Sequence, residues 1–352
     1  MAVFSIDNVK LSGVAACVPA NSESNHDFNL VNDSEKDLLI KTTGIQNRRI
    51  AKKGMATSDL CEKAAQKLIA ELKWNKEEIN LLIFVSQSRD YYLPSTSIIL
   101  QNKIGLPKTC MAFDIGLGCS GFTHGLSIAA SLMKTSGIKK ALLMTGDISS
   151  VSLSKEDKST YPLFGDGGAV AALELSNVSD PWYFNTNSDG SGYESIIIQD
   201  GGVRNMITDD TYTMVEVEKG IKRSRRHLWL NGLDVFSFST KEVPASVNEL
   251  FSFSKINKDE INFFIMHQAN LLMNETIRKK LKIDAEKVPY SLKDFGNTSS
   301  ASIPLTMVTQ LKNKLSEPGK KKLLLSGFGV GLSWSNVILN TENLVIPDLM
   351  EL

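Results

Sequence analysis

The sequence predicts an α/β protein made of two similar halves that are stacked in layers. Two pairs of segments resemble each other at the same distance along the chain. NKEEINLLIF at 75–84 is similar to NKDEINFFIM at 257–266, and GIKKALL at 137–143 is similar to GKKKLLL at 319–325. Both pairs have an offset of 182 residues (257 − 75 = 182 and 319 − 137 = 182). One match could arise by chance in a lysine-rich junction, but two at one offset indicate an internal duplication.

Short apolar runs alternate with helical patterns, and this alternation also favours the α/β class. A helical segment at about 58–74 precedes an apolar run at 79–85, and further apolar runs lie at 141–145, 261–266 and 323–325. Strands of this kind are covered by helices on both faces of their sheet. We therefore expect a layered, pseudo-twofold arrangement with the active site where the two halves meet.

Three regions follow from this pattern. Residues 1–176 form the first half, with the candidate nucleophile, and residues 232–352 form the second half, with a candidate histidine and asparagine. Residues 177–231 break the alternation, because they are rich in Asn, Asp, Gly and Ser and contain the basic run KRSRR at 222–226. We interpret this region as an insertion of loops and hairpins that belongs to the first half.

Charge and cysteine content narrow the class of protein. The 352 residues include 39 Lys and Arg and 39 Asp and Glu, so the formal net charge is zero. Nucleic acid or an anionic membrane would select a surplus of positive charge, and no apolar stretch of about 18 residues predicts membrane insertion. The start of the chain does not resemble a signal peptide, and the four cysteines form no CxxC pair. These features predict a cytoplasmic protein, and the absence of metal-ligand spacing among the histidines predicts no metal site.

Cys119 is the candidate nucleophile. It lies in GLGCSGF at 116–122, where a glycine-rich turn leads from a short strand into a helical segment. At the start of a helix, the dipole and free backbone N–H groups lower the pKa of a thiol. The alternative is a small buried residue, because free cysteine is often buried. We prefer that alternative for Cys17, Cys61 and Cys110, which lack flanking glycines.

His267 is the candidate proton partner of the cysteine. It follows the apolar run 263–266, and the ends of strands are where α/β proteins place functional groups. A lone histidine beside an apolar run is as often structural, so both interpretations stay open on position alone. His124 is expected to be structural, and His26 and His227 are expected at the surface.

Two further segments contain candidate polar groups. Asn297 lies in DFGNTSSAS at 294–302, where an asparagine between Gly and Thr could also form a turn or a helix cap. A glycine loop, GFGVG, occupies 327–331 after the last predicted strand. Its N–H groups could face a developing oxyanion, although a tight turn would also explain the glycines.

Together these motifs resemble the β-ketoacyl-acyl-carrier-protein synthase III family of the thiolase superfamily. The similarity covers nearly the whole chain and depends on six motifs in order: TTGI at 42–45, GCSGF at 118–122, FGDGGA at 164–169, HQAN at 267–270, FGNTSSAS at 295–302 and GFGVGLSW at 327–334. The resemblance implies the thiolase fold, in which two similar halves form five layers, αβαβα. It also implies a homodimer that acts in fatty acid biosynthesis.

The resemblance implies a triad of Cys119, His267 and Asn297. Cys119 would take an acyl group from acyl-CoA or acyl-carrier protein. His267 and Asn297 would donate hydrogen bonds to malonyl-carrier protein while it loses carbon dioxide, and the resulting carbanion would attack the acyl group to give a 3-oxoacyl product. The backbone N–H groups of Cys119 and Val330 would form the oxyanion hole. No cofactor is implied, and acyl carrier protein is the implied partner.

Substrate contacts are implied for three further residues: Asn270, Gly329 and Leu93. Leu93 occupies the place of a residue, often Phe, that reaches across the family's dimer interface and closes the acyl pocket. A smaller side chain there would admit a longer acyl group.

The chain departs from the family's pattern where coenzyme A and carrier protein are usually held. Leu38 stands in place of a tryptophan, Thr42 and Leu272 in place of arginines, and Ser237 in place of a lysine, while Lys158 replaces a further arginine. The resemblance therefore supports the chemistry better than it supports an acetyl-CoA primer. The basic run at 222–226 could supply carrier-protein contacts, or it could be a solvated loop.

Other members of the superfamily are alternatives. Degradative thiolases need a second cysteine in the C-terminal glycine loop, but no cysteine follows Cys119. Hydroxymethylglutaryl-CoA synthases need an acid after the strand at 81–85, where this chain has Ser86-Gln87-Ser88. A type III polyketide synthase-like condensation stays open, as does acyl transfer to an alcohol or amine. Retention of both His267 and Asn297 favours condensation.

Overall fold

The structure is a computed structural model that describes residues 2–177 and 179–352. Met1 and Val178, which belong to the predicted first half and the predicted insertion, lie outside the described residues. In chain order, the strands are β1 (Ala2–Ile6), β2 (Val9–Val18), β3 (Ser22–Ser24), β4 (Asn47–Arg49), β5 (Ile79–Val85), β6 (Met111–Ile115), β7 (Lys140–Asp147), β8 (Gly167–Leu175), β9 (Trp182–Ser188), β10 (Ile196–Ile197), β11 (Val215–Glu218), β12 (Ile221–Arg223), β13 (Trp229–Leu230), β14 (Phe263–Met266), β15 (Lys321–Gly329), β16 (Ser333–Thr341) and β17 (Met350–Glu351).

The α-helices lie between these strands. They are α1 (Asp33–Thr43), α2 (Thr57–Leu72), α3 (Thr96–Ile104), α4 (Gly121–Ser136), α5 (Gly232–Ser254), α6 (Leu271–Leu281), α7 (Leu292–Phe295), α8 (Ser302–Gln310) and α9 (Lys312–Ser316). Short 3₁₀ helices occupy Asn25–Asp27, Lys76–Glu78, Ser149–Ser152, Gly190–Ser195, Asp209–Tyr212, Lys258–Glu260, Ala285–Lys287 and Ser299–Ala301. No described helix is both long enough and apolar enough to span a bilayer.

Two large sheets share one topology. The first has the order β17-β2-β8-β7-β5-β6, and the second has the order β1-β9-β16-β15-β14. In the first sheet β5 pairs parallel with β7, and β7–β8 and β8–β2 are antiparallel. In the second sheet β14 pairs parallel with β15, and β15–β16 and β16–β9 are antiparallel. Each half therefore repeats the same arrangement of four strands.

The sequence repeat corresponds to a repeat of local structure. Asn75 precedes the 3₁₀ turn before β5, and its side chain accepts a hydrogen bond from the Glu77 N–H at 3.2 Å. Asn257 has the same place before β14 and accepts from the Asp259 N–H at 3.0 Å. The Asn side chain caps the turn in both halves because it satisfies an N–H that the short helix leaves free.

The layers form around three apolar clusters. Helices α4 and α8 lie between the sheets, where Phe122, Leu126 and Leu305 are buried against residues of both sheets. Helices α2 and α3 cover the outer face of the first sheet, and α5 and α6 cover the outer face of the second. Strand β5 is buried on both faces, which explains its continuous apolar sequence. This αβαβα arrangement confirms the predicted fold class.

The region 177–231 differs from its predicted form in one element. Strand β9 pairs with β1 and β16 in the second sheet, so Trp182–Ser188 is a sheet strand and not part of an inserted loop of the first half. The sequence conceals this strand because its second part is polar. Asn185, for example, is fully buried and donates to the Ser246 carbonyl at 2.7 Å. The remainder contains the short pairs β10–β13 and β11–β12.

Candidate active site

A cavity of about 140 Å³ brings together residues of both halves and of the region between them. Its apolar wall includes Ile148, Leu163, Phe164, Ile196, Leu228 and Val235. Its polar groups include the three predicted residues Cys119, His267 and Asn297. Gln87, Asp147 and Ser299 also line the cavity. The site lies where the halves meet, because each half contributes side chains from the ends of its parallel strands.

Cys119 lies between the end of β6 and the start of α4, with Ser120 as the N-cap of that helix. The cysteine is buried, and the glycine loop packs directly against it. A Cβ atom at Gly329 would lie 2.6 Å from the Cys119 Cβ and 2.9 Å from its Sγ, and a Cβ at Gly327 would lie 3.3 Å from the Cys119 carbonyl oxygen. These glycines are needed because no side chain fits between the loop and the cysteine.

The pKa of Cys119 differs from the sequence prediction. Burial raises the pKa of the thiol to about 11, although contacts with the Val330 backbone, the Ser299 side chain and its own backbone act in the opposite direction. The desolvation of a sulfur inside the cavity outweighs these donors. The Cys119 side chain is therefore a thiol at neutral pH, and it would have to lose its proton before it could act as a nucleophile.

His267 directly follows β14, and hydrogen bonds and ring packing fix both its backbone and its side chain. Its N–H donates to the Ser326 carbonyl at 2.8 Å, and its carbonyl accepts from the Asn274 side chain at 2.9 Å. The ring packs edge-on against Phe328, and Nδ1 lies 2.8 Å from the Ser302 hydroxyl. Burial lowers the pKa of His267 to about 3. The imidazole is therefore neutral at physiological pH and presents one N–H donor.

Asn297 is oriented by its own turn. Its backbone N–H donates to the Leu163 carbonyl at 2.9 Å, and its carbonyl accepts from the Gly165 N–H at 3.0 Å. The side-chain Oδ1 accepts from the Ser299 N–H at 2.9 Å. With Oδ1 engaged, Nδ2 is the group that Asn297 offers to the cavity as a hydrogen-bond donor.

Of the other predicted site residues, three line the cavity and one lies outside it. Val330 and Gly329 line the cavity beside the thiol. Asn270 also lines the cavity, and its side chain caps α6 by accepting from the Met273 N–H at 2.9 Å. Leu93 is 86% exposed and does not line the cavity of its own chain.

Two residues of the site escaped the sequence analysis as individuals. Asp147 ends strand β7, and a polar residue at the end of a parallel strand is a signal that could have identified it. Ser299 lies within the motif around Asn297, but it is one of three serines there, so its residue type did not mark it as functional. Its φ of 50° places it in the left-handed region, which is uncommon for a residue other than glycine.

The basic run 222–226 is largely neutralised within the chain. Lys222 pairs with Glu156 at 3.1 Å, buried Arg223 pairs with buried Asp157 at 3.4 Å, and Arg225 pairs with Asp200 at 2.9 Å. The first two pairs join the region to the first half and the third lies within the region. Because these cations have partners in their own chain, the suggestion that they recognise a carrier protein is weakened.

The fold and the site together are those of an enzyme with the thiolase fold. Comparison with known proteins agrees. A family model described as 3-oxoacyl-[acyl-carrier-protein (ACP)] synthase III matches residues 113–190, and the model of its C-terminal part matches residues 251–341.

Similarity extends over the whole chain in individual relatives. The chain is 30% identical to a putative 3-oxoacyl-[acyl-carrier-protein] synthase 3 of Campylobacter jejuni, over 98% of this chain and 97% of that protein. It is 33% identical to the β-ketoacyl-[acyl-carrier-protein] synthase III of Clostridium acetobutylicum, over 95% of this chain and 99% of that protein. A crystal structure of a 3-oxoacyl-(acyl-carrier protein) synthase from Burkholderia xenovorans has a TM-score of 0.93 and 36% identity and covers 99% of both chains. The chain belongs to the 3-oxoacyl-[acyl-carrier-protein] synthase III family, as the sequence motifs indicated.

Proposed function

We propose that this chain, a 3-oxoacyl-[acyl-carrier-protein] synthase III-like condensing enzyme of the acyltransferase class, performs its chemistry with Cys119, His267 and Asn297. The observation that supports this assignment is their meeting in one cavity, with a neutral imidazole and an amide whose oxygen is already engaged. Acyl-CoA or acyl-carrier protein and malonyl-carrier protein are the proposed substrates, and no further cofactor is required.

The first step is transfer of an acyl group to Cys119. The sulfur attacks the thioester carbonyl, the thiol of the donor leaves, and the cysteine holds the acyl group covalently. Negative charge develops on the carbonyl oxygen during this step. The backbone N–H groups of Cys119 and Val330 are proposed as its donors, since both backbones lower the pKa of the Cys119 thiol.

The second step is decarboxylative condensation. The malonyl thioester oxygen accepts hydrogen bonds from His267 and the Nδ2 of Asn297, and these bonds strengthen as loss of carbon dioxide turns the oxygen into an enolate. The carbanion then attacks the acyl carbonyl on Cys119, and the 3-oxoacyl product leaves with release of the sulfur as a thiolate. Neutral donors suit this step because a buried cation would hold the malonyl carboxylate by charge and oppose its loss.

The partner, oligomeric state and location belong to the same proposal. Acyl carrier protein is the proposed partner because the relatives' names specify it. A cytoplasmic homodimer is proposed, with β6, at the edge of the first sheet, and the exposed side chains of Tyr91, Tyr92 and Leu93 as a surface suited to a second copy. Leu93 in place of a larger aromatic residue favours an acyl group longer than acetyl.

A donor series tests this function. The protein is incubated with malonyl-carrier protein and acyl-CoAs or acyl-carrier proteins of increasing chain length, and 3-oxoacyl-carrier protein and carbon dioxide are quantified. We expect product with longer donors, no product from Cys119→Ala, and acylation without condensation from Asn297→Ala. Cys110→Ala, which changes a cysteine outside the cavity, serves as the matched control. Transfer of the acyl group to an added alcohol or amine, without carbon dioxide, would reject condensation, and a strong preference for acetyl would reject the role of Leu93.

A further inference from the structure

The proposed mechanism so far names no group that accepts the thiol proton of Cys119. Acylation removes the proton of a thiol whose pKa burial raises to about 11, and the pKa of His267 is lowered to about 3. An imidazole in that state is a weak base, and its N–H is needed as a donor for the malonyl thioester. A second group near the sulfur must therefore accept the proton.

The side chain of Asp147 lines the cavity, and its two carboxylate oxygens differ in their hydrogen bonding. Its Oδ1 accepts from the Gln87 and Ser88 N–H groups at 2.7 and 3.1 Å and from the Ser86 and Ser88 hydroxyls at 3.0 and 3.1 Å. Its Oδ2 is buried and makes no well-aligned hydrogen bond with the described residues. The side chain is only 3% exposed, and it lines the same cavity as Cys119. A buried unpartnered carboxylate oxygen is costly, which indicates a purpose other than anchoring the turn.

Ser299 connects this carboxylate to the triad. Its N–H donates to Asn297 Oδ1, and its backbone contacts the His267 ring. Ser299 lines the same cavity as Cys119 and Asp147, and its side chain favours the charged form of both the thiol and the carboxylate by lowering the pKa of each. One hydroxyl proton cannot serve both anions at once, so the direction in which Ser299 donates depends on which of the two is charged.

We propose that Ser299 and Asp147 form a proton relay that stores the Cys119 proton while the cysteine is acylated. The inference deepens the proposed function and rests on it. Ser299 contacts the reacting sulfur and passes the proton, and Asp147 acts through Ser299.

The proton balance of the two steps closes. During acylation, the S–H bond of Cys119 breaks, its proton passes to the Ser299 oxygen, and the Ser299 proton passes to Asp147 Oδ2, while the departing coenzyme A thiolate takes a proton from solvent. During condensation, the Cys119 thiolate is released, Ser299 returns a proton to the sulfur, and Asp147 returns one to Ser299. Each turnover therefore restores a thiol and a carboxylate.

The surroundings of Asp147 limit which groups can influence its charge. The charge of Asp147 acts on two titratable groups, Cys119 from the turn before α4 and Cys61 from α2. His267, which directly follows β14, lines the same cavity. The segment Ser86–Ser88 contributes hydroxyl and N–H donors. Burial raises the pKa of Asp147 against these donors, which makes the carboxylate a better proton acceptor than one at the surface.

Asp166 offers a matched control for a buried carboxylate. It is fully buried and accepts from the Ala51 N–H at 2.7 Å, the Ser150 N–H at 3.0 Å and the Ser150 hydroxyl at 2.6 Å. Both of its oxygens are therefore partnered, and it does not line the cavity. Asp166→Asn reports the effect of losing a buried charge near the site without losing the relay.

The test is the rate at which an acyl-CoA acylates Cys119, measured by mass spectrometry of the intact protein without malonyl-carrier protein. Asp147→Asn keeps an oxygen for the Ser86–Ser88 donors but accepts no proton. We expect acylation at neutral pH to fall about a hundredfold in this variant, the usual contribution of a positioned base. The deficit shrinks at alkaline pH, because solvent then supplies the thiolate. Ser299→Ala should show the same pH-dependent deficit.

Asp166→Asn should keep a constant ratio to the wild-type rate across this pH range. The relay is rejected if the Asp147→Asn deficit does not change with pH, if it equals that of Asp166→Asn, or if Ser299→Ala acylates like wild type. Should Asp147→Asn fail to fold, Ser299→Ala decides the question alone, since it removes only one oxygen. Failure of the proposed function would differ, since the wild-type protein would then form no adduct on Cys119.

Discussion

Gly329→Ala tests the close approach of the glycine loop to Cys119. The new Cβ would lie 2.6 Å from the Cys119 Cβ and 2.9 Å from Sγ, whereas ordinary contact begins at 3.4 Å. The cysteine or the loop must therefore move by about 0.8 Å (3.4 − 2.6). Overpacking of this kind costs about 1–3 kcal/mol. The residue also has a φ of 154°, which L side chains rarely adopt, and this strain adds about 1–3 kcal/mol.

Gly319→Ala separates the two contributions. Gly319 also has a positive φ, 104°, but a Cβ there meets nothing within 4 Å. We expect urea unfolding to show a destabilisation of about 1–3 kcal/mol for Gly319→Ala and a further loss of about 1–3 kcal/mol for Gly329→Ala. Acylation should fall about a hundredfold only in Gly329→Ala, because a misplacement near 1 Å at a reacting atom has this effect. Equal stability and equal acylation rates in the two variants would refute the packing argument.

Three further predictions concern the titration and orientation of the site. Folding keeps His267 neutral, so its contribution to the free energy of unfolding is complete above its ordinary pKa of 6.5 and is lost as the pH falls toward about 3. At pH 4, which is 2.5 pH units below 6.5, the loss of stability is about 3 kcal/mol. Urea unfolding of His267→Gln should not show this loss. If wild type and His267→Gln lose stability equally on acidification, the histidine is not held neutral by burial. Because burial raises the pKa of Cys119 to about 11, alkylation of its peptide by iodoacetamide should keep rising above the ordinary thiol pKa of 9.0, and a plateau near neutral pH would show instead that the helix terminus lowers it. Ser302→Ala removes the partner of His267 Nδ1 and should cost about 1–3 kcal/mol of stability and slow condensation more than acylation; equal slowing of both steps would count against an orienting role.

The repeated local structure and the meeting of the three candidate residues in one cavity could be anticipated because each leaves a local trace in the sequence. The Asn-capped turns before β5 and β14 repeat both the residues and the hydrogen bonds, so similarity in sequence implied similarity in structure. Cys119, His267 and Asn297 lie in short motifs at the ends of secondary-structure elements. Their convergence in one cavity agrees with the prediction of a site between the halves.

The features that escaped prediction depend on contacts between distant segments. Strand β9 was hidden because its polar residues find buried partners on α5 and β16, such as Ser246 and Asn336 for Asn185. The direction of the Cys119 pKa shift depends on how deeply the sulfur is buried, which no local pattern reveals. Asp147 and Ser299 are 152 residues apart (299 − 147 = 152), and only the stacked halves bring them to the same sulfur.

In the proposed reaction, one cysteine stores an acyl group until decarboxylation of malonyl-carrier protein removes it. The direct measurement is a single-turnover experiment in which the protein is first loaded with a labelled acyl group and freed of excess donor. We predict that the label lies on the peptide containing Cys119. Adding malonyl-carrier protein should then transfer it to 3-oxoacyl-carrier protein with equimolar release of carbon dioxide. Label on another residue, or its loss without carbon dioxide, would contradict the assignment.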